Sequence, residues 1–82
     1  MSGKKSAIDL YVVAQVREMR LKAGYSQVAL AVQLELSPGF IGHIESFNSN
    51  ASYNLRHLNK LANIFKCSPK DFLPDRFIDS KQ

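Results

Sequence analysis

The sequence predicts an all-α protein built from five short helices. Three observations carry that expectation. Apolar residues recur at helical rather than alternating spacing along most of the 82 residues. Residues that cap helices (Ser6, Ser26, Ser37, Asn54 and Ser68) stand just ahead of those periodic stretches. Proline is confined to positions 38, 69 and 74 and glycine to 3, 24, 39 and 42, and most of the rest reads with helical period. No credible strand, repeat or low-complexity segment competes.

Each element follows from its residues. Val12, Val13, Val16, Met19, Arg20 and Ala23 share one stripe of a first helix, which Gly24 ends in a left-handed turn. Ser6 or Asp9 caps its start, and Ser6 with Asp9 three residues on resembles a capping box. Ser26 caps a second, short helix, Gln27 to Leu34. Ser37 and Pro38 open a third, with Ser as cap and Pro at the first helical position, running to about Phe47 with Phe40, Ile41 and Ile44 inward. Asn48 to Tyr53 reads as a polar turn. Asn54 caps a fourth helix whose stripe is Leu55, Leu58, Leu61, Ala62 and Phe65. Ser68-Pro69 opens a fifth, with Asp71 placed to close a capping box.

Length and composition set the frame. Hydrophobic residues make up 45% and charged residues 22%, a globular composition sized for one domain over residues 1–82. Residues 1–7 are expected as a flexible extension and 75–82 as a tail, with Lys4 and Lys5 on a disordered terminus. No bilayer-spanning run and no secretory leader is spelled, and Met1 opens the chain naturally, so a complete cytoplasmic protein is expected. The single Cys67 makes no internal disulfide and reads as a small core residue.

The formal charge is +4, and its distribution is uneven. Lys4, Lys5, Arg17, Arg20 and Lys22 face only Asp9 and Glu18 in the first 25 residues. From Ala23 through Leu55 there is no lysine or arginine at all. An acidic partner would be gripped by the ends of the fold rather than its middle.

Gly24-Tyr25-Ser26-Gln27, followed by Leu30-Ala31, Leu34, Ser37, Ile41, Ile44 and Glu45, resembles the phage-repressor (Cro/cI, or XRE) type of helix-turn-helix domain over Val16 to Leu73. The resemblance implies a lambda-repressor-like five-helix bundle. Ala31 is then the small residue where two steeply crossing helices approach, with Leu34, Leu36, Ile41 and Ile44 behind it. The helix beginning at Pro38 stands proud of the core, at a width that fits the major groove of B-DNA.

The same resemblance implies individual roles. Gln27 sits where family members hold a DNA phosphate and sometimes a base. Pro38, Gly39 and His43 occupy groove-reading positions, with Ser37, Gly42 and Ser46 on the same outward surface. Arg20 and Glu45 match a pair that forms a buried ion pair in some relatives. Arg17, Lys22, Arg56 and Lys60 are candidates for backbone phosphates. Double-stranded DNA is the implied partner, a homodimer the implied state, and no cofactor is called for.

Several residues depart from the family pattern. Pro38 and Gly39 carry no side-chain donors or acceptors, so direct base readout is thin. Ser46 to Asn54 lacks the usual lysine or arginine, and Glu35 and Lys66 stand where relatives often place Gly in a left-handed turn. Val28, Ala29 and Val32 make the second helix apolar nearly all round; coverage by Ile8 to Val12 is expected, a protein partner being the other reading. Phe72, Leu73, Phe77 and Ile78 exceed the needs of one small core and are expected across a two-fold dimer interface.

Enzyme readings fail on parts. His43 and His57 form no metal arrangement, and neither a glycine-rich phosphate loop nor a nucleophile motif is present. The expected function is a non-enzymatic DNA-binding regulator. The alternative, from another class, is a protein-interaction module such as the antitoxin of a toxin–antitoxin pair.

Overall fold

The computed structural model describes residues 5–79. It contains α1 (Ala7–Lys22), α2 (Gln27–Gln33), α3 (Phe40–Glu45) and α4 (Leu55–Phe65), followed by a 3-10 turn at Pro69–Phe72. No strand occurs among the described residues, and none of their helices is long and apolar enough to cross a membrane.

The expected fifth helix is therefore a correction: it stops after four residues as 3-10. Its capping box closes, with Ser68 N–H donating to Asp71 Oδ2 at 3.0 Å. Pro74 then intervenes. The residue before a proline is driven out of the helical region, and Leu73 is extended at φ −110°, ψ 149°.

The start of α3 is a second correction. Helix begins at Phe40, not Pro38, with Gly39 as its cap residue and no side-chain cap bond. Ser37 accepts the Phe40 N–H through its carbonyl at 3.0 Å, so Ser37-Pro38-Gly39 forms a turn instead of a first helical turn. Gly39, at φ −87°, ψ 0°, has the bridge-region geometry that ends such turns. The far end is also shorter than expected, because Ser46 is already extended.

At the N-terminus Ser6 is the cap, accepting from Asp9 N–H and donating its hydroxyl to Asp9 Oδ2 at 2.9 Å. Ala7 already belongs to α1 and Ser6 caps it, so neither is part of the flexible extension expected over 1–7, and Lys4 lies outside the described residues.

The core joins α1, α2, α3, α4 and the 3-10 turn. Val16, Leu30, Ala31, Leu34, Ile41, Ile44, Leu61 and Phe72 are almost fully enclosed, and Val12, Val13, Tyr53, Leu58 and Ala62 complete the buried set. Leu55 is 78% exposed. The stripe of α4 begins at Leu58 because Leu55, at the first helical position, points out past the core. Ala23, beyond the end of α1, is exposed too.

Three further expectations change. Phe72 lies wholly inside its own chain and leaves the proposed dimer set, where Leu73 and Phe77 remain exposed and Ile78 half-buried. Val28 and Val32 are 53% and 56% exposed, so the N-terminal segment does not cover α2. Tyr53, placed by its neighbours in a polar turn, belongs to the core.

Candidate nucleic-acid interface

The short α3 is fixed from behind. Ile41 and Ile44, three residues apart, face inward and are buried. The opposite side carries His43, exposed, with Gly42 half-buried beside it. Ser37, Pro38 and Gly39 before the helix and Ser46 after it are exposed as well. A Cβ at Gly39 would meet open space, so no packing among the described residues requires glycine there.

Glu45 anchors the helix. Its two oxygens accept a bidentate fork from Arg20, Nε to Oε2 and Nη2 to Oε1, both at 2.9 Å. Both side chains are nearly enclosed, at 7% and 4% exposed. Arg20 Nη1 also donates to the Tyr25 carbonyl at 2.9 Å, tying the turn before α2 into the same knot. A planar guanidinium suits this site because one rigid fork serves a carboxylate and a carbonyl together. Arg17, exposed, reaches Glu45 Oε1 more distantly at 3.9 Å.

Gln27, at the start of α2, lies against α3. Its amide nitrogen donates to Glu45 Oε1 at 2.9 Å. A Cβ at Gly42 would stand 3.0 Å from the Gln27 amide oxygen. Gly42 is therefore explained by close approach: a bare backbone lets Gln27 lie across the helix. Gln27 remains exposed, so its polar head borders the same outward surface as His43.

Around this surface the partners are modest. Ser49 Oγ lies 3.4 Å from His43 Nε2 and accepts from Ala51 N–H at 2.9 Å. Arg56 is exposed on the first turn of α4, next to His57. His57 closes a capping box with Asn54: its Nδ1 accepts the Asn54 N–H at 3.0 Å, and its own N–H donates to Asn54 Oδ1 at 2.8 Å. Burial, then Arg56 and Lys60, hold the His57 pKa below its ordinary value. Tyr53 has a buried hydroxyl without a hydrogen-bond partner among the described residues. Its pKa lies far above the ordinary phenol value, raised by burial first and then by Glu45, with Arg20 opposing.

The structure thus brings Gln27, Arg20, Arg17, Glu45 and Gly42 together, and leaves Ser37, Pro38, Gly39, His43 and Ser46 exposed. Arg56, exposed, precedes His57, whose ring packs on Phe40 at the start of α3 with centroids 5.0 Å apart. Lys5, expected on a disordered terminus, is a correction: its ammonium meets the Ser46 and Ser49 carbonyls. Sequence reasoning passed over Phe47, 74% exposed just after α3. An open groove of about 440 Å³ lies between Met19, Lys22, Ala23 and Tyr25 on one side and Ile64 and Phe65 on the other, with no residue from α3. No cluster of three potential metal ligands occurs among the described residues.

The model of the helix-turn-helix family matches residues 16–72. No curated protein matches the chain. Among solved structures, the chain is similar to a hypothetical transcription factor, NHTF, from Neisseria, at 22% identity and TM-score 0.69, over 82% of this chain and 75% of that one. It is also similar to the restriction-modification controller protein C.AhdI from Aeromonas hydrophila, at 27% identity and TM-score 0.65, over 79% and 93%. The DNA-binding domain of BldD aligns at 18% identity and TM-score 0.67, over 85% and 99%.

Proposed function

The chain belongs to the XRE-type helix-turn-helix family of DNA-binding transcription regulators, and on that premise we propose that it binds operator DNA sequence-specifically as a homodimer. In this reading α3 enters the major groove with the Ser37–Gly39 turn leading. Gln27 and the outward side of α3 (Gly39, Gly42, His43 and Ser46) meet the duplex. Arg17 and Arg56 grip backbone phosphates on either side. Two copies related by a two-fold axis set their α3 helices about one turn of DNA apart, roughly 34 Å. The exposed Leu73 and Phe77 and the half-buried Ile78 supply the contact between copies. Regulation is steric: the bound dimer blocks or guides polymerase.

One observation carries this reading. The inward side of α3 is sealed by Ile41 and Ile44 and locked through Glu45, while Gly39, His43 and Ser46 are left exposed by the described residues. Binding to duplexes selected from random DNA, followed over a range of salt, tests it. With three or four phosphates per protomer and about 0.9 per contact, the log–log slope for a dimer is near −6, and the selected site is two-fold symmetric. A slope near zero, or no selected site at low salt, overturns the reading.

A second reading is favoured by α2. Val28 and Val32 are more than half exposed among the described residues, and an interaction module such as an antitoxin would bury them against its toxin. Purification from the native host that returns no protein partner removes that alternative.

A further inference from the structure

The loop after α3, residues 46–54, contains no lysine or arginine, yet an ammonium is docked into it. Lys5 Nζ, 41 residues earlier, donates to the Ser46 carbonyl at 3.0 Å. It also donates to the Ser49 carbonyl at 2.6 Å. Those carbonyls are the two ends of one tight turn, closed within by Ser49 N–H to Ser46 O at 3.2 Å. Phe47 and Asn48 are exposed at its tip. Ser46 also ends α3, so the ammonium lies at the electronegative end of that helix. Ser49 in turn faces His43 across 3.4 Å.

We propose that Lys5 is a positioning residue of the DNA interface: it holds the 46–49 turn in register with α3, so that His43, Ser46 and Phe47 meet a duplex as one surface. The inference rests on reading the outward side of α3 as the DNA-binding surface. Two of the three ammonium N–H groups are committed to protein carbonyls, which makes Lys5 a fastener of the turn rather than a phosphate ligand. Its carbonyl partners lie in sequence just past the helix they steady, and the cation comes from the residue before the Ser6 cap of α1. The start of the chain is thereby coupled to the end of α3.

Full-length Lys5→Met tests this against Lys4→Met, which removes the same charge one position away. The probes are a duplex selected by the wild type and a scrambled duplex. The readouts are affinity, salt slope and amide hydrogen exchange over residues 46–51 of the free protein. Lys5→Met should loosen the selected duplex by about tenfold relative to Lys4→Met, the size expected for one charge-assisted hydrogen bond. Affinity for the scrambled duplex and the salt slope should match those of Lys4→Met, and exchange over 46–51 should accelerate. Equal affinities for the selected duplex, or unchanged exchange, overturn the proposal. A slope shallower than that of Lys4→Met by about 0.9 per protomer also overturns it, because Lys5 would then be a phosphate contact. If the wild type selects no duplex, the functional reading fails separately, and exchange alone decides whether Lys5 fastens the turn.

Discussion

Glu45 bears on α3 more than any residue that faces outward, because Arg20, Gln27 and Arg17 all converge on its two oxygens. Glu45→Ala strands the enclosed Arg20 guanidinium, and urea unfolding should register a loss of about 3–5 kcal/mol. Replacing both partners with apolar residues, Arg20→Met with Glu45→Leu, should recover much of that loss, since an apolar pair leaves no stranded charge. Gly42 is bound to Gln27 by sterics rather than by charge. In a Gln27→Ala background, Gly42→Ala should stabilise the protein by about 1 kcal/mol, the ordinary helix preference of Ala over Gly. In the wild-type background the gain should shrink, because the new Cβ presses on the Gln27 amide at 3.0 Å; a double-mutant cycle measures the difference. The chain pattern could suggest that Gln27, Arg20 and Glu45 matter, but not that Gln27 would lie on Glu45. That contact depends on how closely α2 crosses α3, which no spacing along the chain encodes.

The helices owe their limits to end chemistry, and there the sequence was legible in part. Ser6, Ser26, Asn54 and Ser68 all cap as their hydroxyl or amide chemistry requires. Ser37 does not, because Pro38-Gly39 makes a turn that needs no side-chain cap, and Pro74 cuts the last helix to a 3-10 turn. His57 gives α4 a pH dependence. Its Nδ1 accepts a hydrogen bond only when the imidazole is neutral, and its folded pKa lies below the ordinary 6.5. The unfolded chain therefore binds the proton more readily, so this contribution is fully present above pH 6.5 and falls as pH drops through 6.5 toward the folded value. His57→Gln, which retains an acceptor, should flatten the dependence of the melting temperature on pH between 7.5 and 5. Glu35 and Lys66 follow α2 and α4 with φ of 62° and 59°. Glycine relieves that left-handed strain, partly offset by its greater freedom when unfolded. Glu35→Gly should stabilise by about 1 kcal/mol and Lys66→Gly by less, since Lys66 favours its helix end electrostatically and Glu35 opposes its own.

At the scale of the molecule, the helical class and most of the core were readable from periodicity, because burial of one face leaves its mark every three or four residues. What lay outside reach was long-range: Tyr53 entering the core from a polar stretch, Phe72 turning inward, and Lys5 crossing to the loop beyond α3. These depend on the path of the chain rather than on local pattern. Two of the exposed regions among the described residues carry the competing readings: the outward side of α3 with its flanking turns, and Val28 and Val32 on α2. Backbone amide NMR of the full-length protein titrated with a selected duplex separates them directly. If α3 lies in the groove, the largest shift changes fall on Gly39, Gly42, His43 and Ser46, with Val28 and Val32 nearly unmoved. Changes concentrated at Val28 and Val32, with α3 silent, would contradict the assignment of α3 as the DNA-reading helix.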